Sequence, residues 1–101
     1  MKKILLVCAA GMSTSMLVTR MKEAAEKKGI NVEISATSGA NVDHEAEGVS
    51  CMLLGPQVSF RKAEFEKKFG SKFPVAVISP MDYGMLNGEK VLEQALKLME
   101  D

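Results

Sequence analysis

Four short apolar runs alternate with segments of helical period, and this alternation restricts the chain to a parallel sheet flanked by helices. The first run predicts a strand over residues 3–8, ending at Val7 or Cys8. A helix is expected to start near residues 13–15, where hydroxyl side chains are available for the N-cap, and to end at Gly29. Met16, Leu17, Met21, Ala24, Ala25 and Lys28 trace one face of it. In the second strand, residues 30–36, Val32 and Ile34 alternate with Asn31, Glu33 and Ser35, the pattern of a sheet edge. Residues 37–48 read as a polar loop with one short helical turn around 42–46.

The third strand, residues 49–54, is apolar enough for a central position buried on both faces. Gly55-Pro56 breaks the chain before a helix over 58–69, where Phe65 and Phe69 stand one turn apart and Gly70 stops it. Pro74 suits the start of a fourth strand over 74–78. A turn-rich loop, residues 79–84, leads to Asn87 as the N-cap of a last helix. That helix places Val91, Leu92, Ala95, Leu96 and Met99 on one face.

Residues 1–101 therefore read as a single α/β domain, an open four-stranded parallel sheet in the order 2-1-3-4 with helices on both faces. At 101 residues and 47% apolar content, the chain buries a real core without staples. Ligands of such sheets bind beyond the carboxyl ends of the strands, where the strand order reverses. In this order the reversal lies between strands one and three. The loops there are residues 8–15 and 55–57, with the loop after strand four nearby.

Residues 8–15 read Cys-Ala-Ala-Gly-Met-Ser-Thr-Ser and run from a strand into a helix. A helix N-terminus offers unpaired N–H groups and the positive end of the helix dipole, so it favours an anion. Gly11 allows a tight backbone turn, and Ser13, Thr14 and Ser15 add hydroxyl donors. The same field favours a thiolate at Cys8. A thiolate in a phosphate cradle is a nucleophile for a phosphoryl group, with Ala9, Ala10, Gly11, Met12, Ser13, Thr14 and Ser15 forming the cradle mainly through backbone N–H groups. The loop contains no lysine or arginine. Taken alone, Cys8 also suits the buried end of a strand; its position before a hydroxyl-rich turn favours chemistry.

The sequence Cys8-Ala-Ala-Gly-Met-Ser-Thr-Ser15, with Leu54-Gly-Pro-Gln-Val58 and Asp82-Tyr83-Gly84, closely resembles the enzyme IIB family of the bacterial sugar phosphotransferase system, lactose/cellobiose (chitobiose) type. The resemblance spans essentially the whole chain. It implies a protein-N(pi)-phosphohistidine–sugar phosphotransferase in which Cys8 takes a phosphoryl group from enzyme IIA. The group then passes to a sugar, expected to be a disaccharide, held by the membrane component enzyme IIC. It implies no metal or diffusible cofactor in this subunit, and a cytoplasmic chain that meets the membrane transiently through enzyme IIC. A second resemblance is to low-molecular-weight tyrosine phosphatases, which share a similar sheet and the loop pattern C-x5-R. Thr14 occupies the arginine position here, so a hydrolytic transition state lacks its bidentate donor. A phosphate-ester hydrolase using Cys8 and a non-catalytic regulatory or redox domain remain the alternatives.

The other chemistry-bearing residues admit plainer readings. Gln57 and Tyr83 follow strands three and four at the same sheet edge and, with Asp82, are candidate contacts to phosphate or a partner. Gln57 serves equally as a helix cap, Asp82 as a turn residue and Tyr83 as a packing group. Met12 is expected on an apolar partner surface and Met16 in the core. Arg20 lies more than a turn beyond the helix start and reads as a surface residue.

Cys51 is expected to be a core thiol, about 10 Å or more from Cys8 along the sheet and beyond the reach of a disulfide. His44, within Asp43-His44-Glu45, has no second histidine or cysteine at metal spacing and reads as solvated. Thirteen basic residues balance thirteen acidic ones, which argues against a nucleic-acid partner recruited by net charge. The apolar stretches are too short to span a bilayer, and the lysines and apolar run at the start read as a first strand rather than a signal peptide.

Overall fold

The computed structural model describes residues 2–8 and 11–100, and of residues 11–13 the backbone only. Four parallel strands form one sheet in the order β2-β1-β3-β4, as the alternation of elements requires. They are β1 (Lys2–Cys8), β2 (Val32–Ser38), β3 (Cys51–Leu54) and β4 (Val75–Val77). Helix α1 (Gly11–Lys28) connects β1 to β2, and the short α2 (Val42–Glu45) lies between β2 and β3. A 3-10 helix (Pro56–Arg61) and α3 (Lys62–Phe69) connect β3 to β4, followed by α4 (Pro80–Gly84) and α5 (Gly88–Leu98).

Alternation of side chains along the strands divides the core in two. Ile4, Leu6, Cys8, Cys51 and Leu53 face one side and pack with Leu17, Met21 and Ala25 of α1 and Val91, Leu92 and Ala95 of α5. Leu5, Val7, Met52 and Leu54 face the other and pack with Val58, Phe65, Phe69 and Phe73. The two central strands are thus apolar on both faces, and helices cover each side. Phe65 is fully buried, so its truncation to alanine removes about 3–5 kcal/mol.

Several boundaries differ from the sequence reading, each for a local reason. α1 starts at Gly11, ahead of residues 13–15, so the hydroxyl residues lie in its first turns rather than before them. Its end follows expectation: Gly29 takes φ 69°, and Ile30 N–H bonds Ala25 O at 2.9 Å. Because Ile30 is engaged in that cap, β2 begins at Val32 rather than residue 30, and it continues to Ser38, the partner of Cys8. β3 begins at Cys51 rather than residue 49, since Val49 N–H closes a turn on Ala46 O.

β4 is shorter than residues 74–78, although Pro74 O and Ile78 N–H still bond to β3 residues. The helix expected over 58–69 is interrupted: Val58 has φ −116° and ψ 17°, and the regular α-helix starts only at Lys62. The expected loop at 79–84 contains α4, with Pro80 in its first turn, where the missing N–H costs nothing. Asn87 caps α5 as predicted, its side-chain oxygen accepting from Lys90 N–H at 3.2 Å. Met16 is 52% exposed, not a core residue.

Candidate functional site

β1 ends at Cys8, and α1 begins three positions later at Gly11. The register pairs Cys8 with Ser38 of β2 and Val7 with Leu54 of β3, so Cys8 stands at the carboxyl end of the sheet where the order reverses. The helix that follows has 18 residues, no acidic residue in its first turn, and Lys27 and Lys28 in its last. Both ends suit the dipole, and the absence of a carboxylate from the first turn leaves the positive end without a competing charge of its own helix.

Gly55 continues β3 by one step, its N–H bonding Val7 O at 2.8 Å, and this places it beside Cys8. A Cβ at Gly55 would lie 2.8 Å from Cys8 Sγ, 2.8 Å from Gln57 Oε1 and 3.4 Å from Tyr83 Cε2. Three candidate residues thus converge on the space above one glycine. The expected strand order already places the loop 55–57 beside residues 8–15; the register adds that Gly55 itself lies against the Cys8 sulfur.

Cys8 is 3% exposed and forms no disulfide. Thr14 is 2% exposed and lies in the first turns of α1; its Oγ1 shares a hydrogen bond of 3.2 Å with the Tyr83 hydroxyl, itself buried. Gln57 is exposed at the second position of the 3-10 helix, and the cap position before it, Gly55, makes no side-chain capping bond. Asp82 is half-buried in α4 and acts in the turn through its carbonyl, which accepts Asn87 N–H at 2.9 Å. Ser15 is exposed, and its carbonyl accepts the Thr19 hydroxyl at 3.0 Å. Ala9 and Ala10, and the side chains of Gly11, Met12 and Ser13, lie outside the described residues.

Cys51 differs from Cys8 in place and chemistry. It pairs with Ile4, four positions back from Cys8 along β1, and is fully buried. Burial pushes its thiol up to about 12, against a smaller opposing effect of Lys2. That keeps it a protonated core group, with Sγ 4.0 Å from Ala95 O. His44 is exposed on α2, and its neighbour Asp43 forms an ion pair with Lys68. Among the described residues no group of three His, Cys, Asp or Glu side chains is placed to hold a metal.

Arg61 has an unexpected position. It closes the 3-10 helix, and a Cβ at Gly39 would collide with its guanidinium. Gly39 directly follows Ser38, the β2 partner of Cys8. A carboxylate already occupies Arg61: two hydrogen bonds of 3.1 and 2.9 Å join it to Glu64, whose carboxyl is held below its usual range by them. The guanidinium also lies 4.5 Å from the centre of the Phe65 ring.

These features define a class: an open parallel α/β domain with a cysteine at its switch point, followed directly by a helix N-terminus. The family described as "PTS system, Lactose/Cellobiose specific IIB subunit" matches residues 3–94. The chain belongs to that family. It is 47% identical over 100 residues to the oligo-beta-mannoside-specific EIIB component of Bacillus subtilis (strain 168), covering 98% of this chain and 97% of the relative. It is also 47% identical to the cellobiose-specific EIIB component of Lactococcus lactis subsp. lactis (strain IL1403), over 104 residues that cover 97% and 96% of the two chains.

The solved cellobiose-specific phosphotransferase IIB component of Borrelia burgdorferi superposes with a TM-score of 0.80 at 41% identity, covering 97% of this chain and 91% of its own. The lactose-specific IIB domain of Streptococcus pneumoniae shares the fold, with a TM-score of 0.84 at 21% identity and 98% coverage of each. The protein is therefore a IIB component of a sugar phosphotransferase system. Among the described residues no helix is long and apolar enough to cross a membrane.

Proposed function

We propose that Cys8 is the phosphoryl acceptor of this IIB component, receiving the group from a phosphohistidine of enzyme IIA and passing it to a sugar held by enzyme IIC. The observation that carries this reading is the placement of Cys8 at the end of β1, with the N-terminus of α1 three residues on. In the first step the Cys8 sulfur attacks phosphorus and gives up its proton, an S–P bond forms, and the N–P bond breaks with its electron pair returning to the imidazole, which takes up a proton. In the second, a sugar hydroxyl oxygen attacks phosphorus and the S–P bond breaks. Sulfur leaves as thiolate, and the hydroxyl proton passes to a base or solvent. The equatorial oxygens need donors that do not reorganise, which the N–H groups at the start of α1 supply.

Phosphate held on sulfur must outlast the search for its acceptor. Thr14, in the position of a phosphatase arginine, supports a carrier rather than a hydrolase, because the group best able to stabilise attack by water is replaced by a neutral hydroxyl. No metal or diffusible cofactor has a role in this scheme, since the donor is another protein. The chain works in the cytoplasm and meets the membrane only through enzyme IIC. The sugar is of the cellobiose, chitobiose or lactose type.

Reconstituted sugar phosphorylation tests this reading. With phosphoenolpyruvate, the general phosphotransferase enzymes, a matching enzyme IIA and enzyme IIC in vesicles, labelled cellobiose should be phosphorylated only when this chain is present. Replacement by Cys8→Ser should abolish product. Undiminished product with Cys8→Ser contradicts the assignment.

A further inference from the structure

Tyr83 is not required at this edge merely to fill space, because its hydroxyl is committed. It is buried in α4, which follows the last strand β4, while Thr14 belongs to the helix after β1, 69 positions earlier. The two hydroxyls share a buried hydrogen bond of 3.2 Å. The Tyr83 ring edge and Cys8 Sγ both close in on Gly55, leaving no room there for a side chain. One side chain therefore touches the first turns of α1 by its polar end and overlies Gly55 beside the nucleophile by its apolar edge.

We infer that Tyr83 is a positioning residue for phosphoryl transfer, acting through Thr14 to hold the N-terminal turns of α1 in register with Cys8. This rests on the reading of Cys8 as the phosphoryl acceptor. Thr14 lies in the first turns of α1, and in-line transfer tolerates little displacement between nucleophile and donors. A tyrosine hydroxyl held by its own short helix adds a constraint from the other end of the chain, since α4 is tied by Tyr83 N–H to Ser79 O at 2.9 Å and by Asn87 N–H to Asp82 O at 2.9 Å. Tyr83 thus contacts neither phosphate nor partner in this role.

The test uses the full-length chain charged from phosphorylated enzyme IIA, with rapid-quench measurement of phosphoryl acceptance across donor concentrations. Tyr83→Phe keeps the ring and removes only the hydroxyl; Thr14→Val keeps the shape and removes its partner. Each should lower the maximal transfer rate about five- to ten-fold, the scale of one buried hydrogen bond, with the KM for the donor unchanged. The double variant should be no slower than either single one, and Thr14→Ser should recover most of the rate lost in Thr14→Val.

Multiplying losses in the double variant, a raised KM with an unchanged maximal rate, or wild-type kinetics in Tyr83→Phe each overturn the inference. If Tyr83→Phe does not fold, Thr14→Val decides the matter by its own rate: wild-type kinetics there overturn the inference as well. Failure of the unsubstituted chain to accept phosphate overturns the carrier reading itself, a result distinct from normal charging of the variants.

Discussion

Gly55 and Cys8 stand side by side at the ends of adjacent parallel strands, so close that a Cβ on Gly55 would come within 2.8 Å of Cys8 Sγ. Real Cβ atoms do not tolerate that separation, so a methyl group must displace the sulfur or part the strands. Gly55→Ala should lower stability by about 1–3 kcal/mol, the usual cost of overpacking. It should also slow phosphoryl acceptance more than a distant variant of equal stability loss. Urea denaturation paired with the acceptance rate separates the two effects.

α1 and α5 approach through Gly88. A Cβ there would lie 2.6 Å from both Arg20 Cβ and Met21 N, and backbone cannot move aside as a flexible side chain can. Gly88→Ala should therefore destabilise the fold by at least about 1–3 kcal/mol and separate the two helices. Lys28→Ala, on the exposed end of α1, should change stability by no more than about 0.5 kcal/mol. Thermal melts of the two variants make the comparison.

The cap of α5 offers a cleaner energetic test. The Asn87 side-chain oxygen accepts one hydrogen bond, from Lys90 N–H at 3.2 Å, at a half-buried position. Asn87→Ala should cost about 1 kcal/mol, and Asn87→Asp should retain the cap. Guanidinium denaturation of the three chains checks the order.

Cys51 gives the chain an alkaline limit. Burial raises its thiol from 9.0 to about 12 in the folded state, so the folded form holds its proton after the unfolded form has lost it. The contribution is fully present below the ordinary thiol range and is lost as pH rises from about 9 to about 12. Cys51→Ala should be less stable at neutral pH because it leaves a small cavity, and its deficit should shrink steadily over that interval. A constant deficit in denaturation at pH 7, 9 and 10.5 contradicts the assignment. Native Cys51 should also resist thiol reagents at neutral pH.

Local signals carried much of this architecture. The apolar runs, Gly29 and the Asn87 cap are legible because each depends on residues within a turn or two of one another. Cys8 stood out because its neighbours in sequence are also those of a helix start. Position along the strands was harder: β2 slipped toward Ser38 because Ile30 was taken by the cap of α1, a competition that alternation alone does not display. Val58 breaks the expected helix by its backbone angles, and no proline or glycine at that position announces the break.

The site itself was partly hidden for the same reason. The strand order brought the loop 55–57 to the Cys8 loop, but the close approach of Gly55 to the sulfur depends on register, and the Thr14–Tyr83 bond spans 69 positions. Met16 showed the opposite failure: its spacing with Leu17 and Met21 placed it on the apolar stripe, yet the helix turns it to solvent. A single residue step rotates a helical side chain by about 100°, enough to move it from the core to the surface.

The central claim is that the phosphoryl group resides on Cys8, and site-resolved mass measurement of the charged chain addresses it most directly. After incubation with phosphoenolpyruvate, the general phosphotransferase enzymes and a matching enzyme IIA, intact mass should show one added phosphoryl group, and peptide mapping should place it on Cys8. Cys8→Ser should carry none under the same conditions, while Cys51→Ala should be charged normally. A phosphoryl group mapped to any other residue, or full charging of Cys8→Ser, would contradict the account.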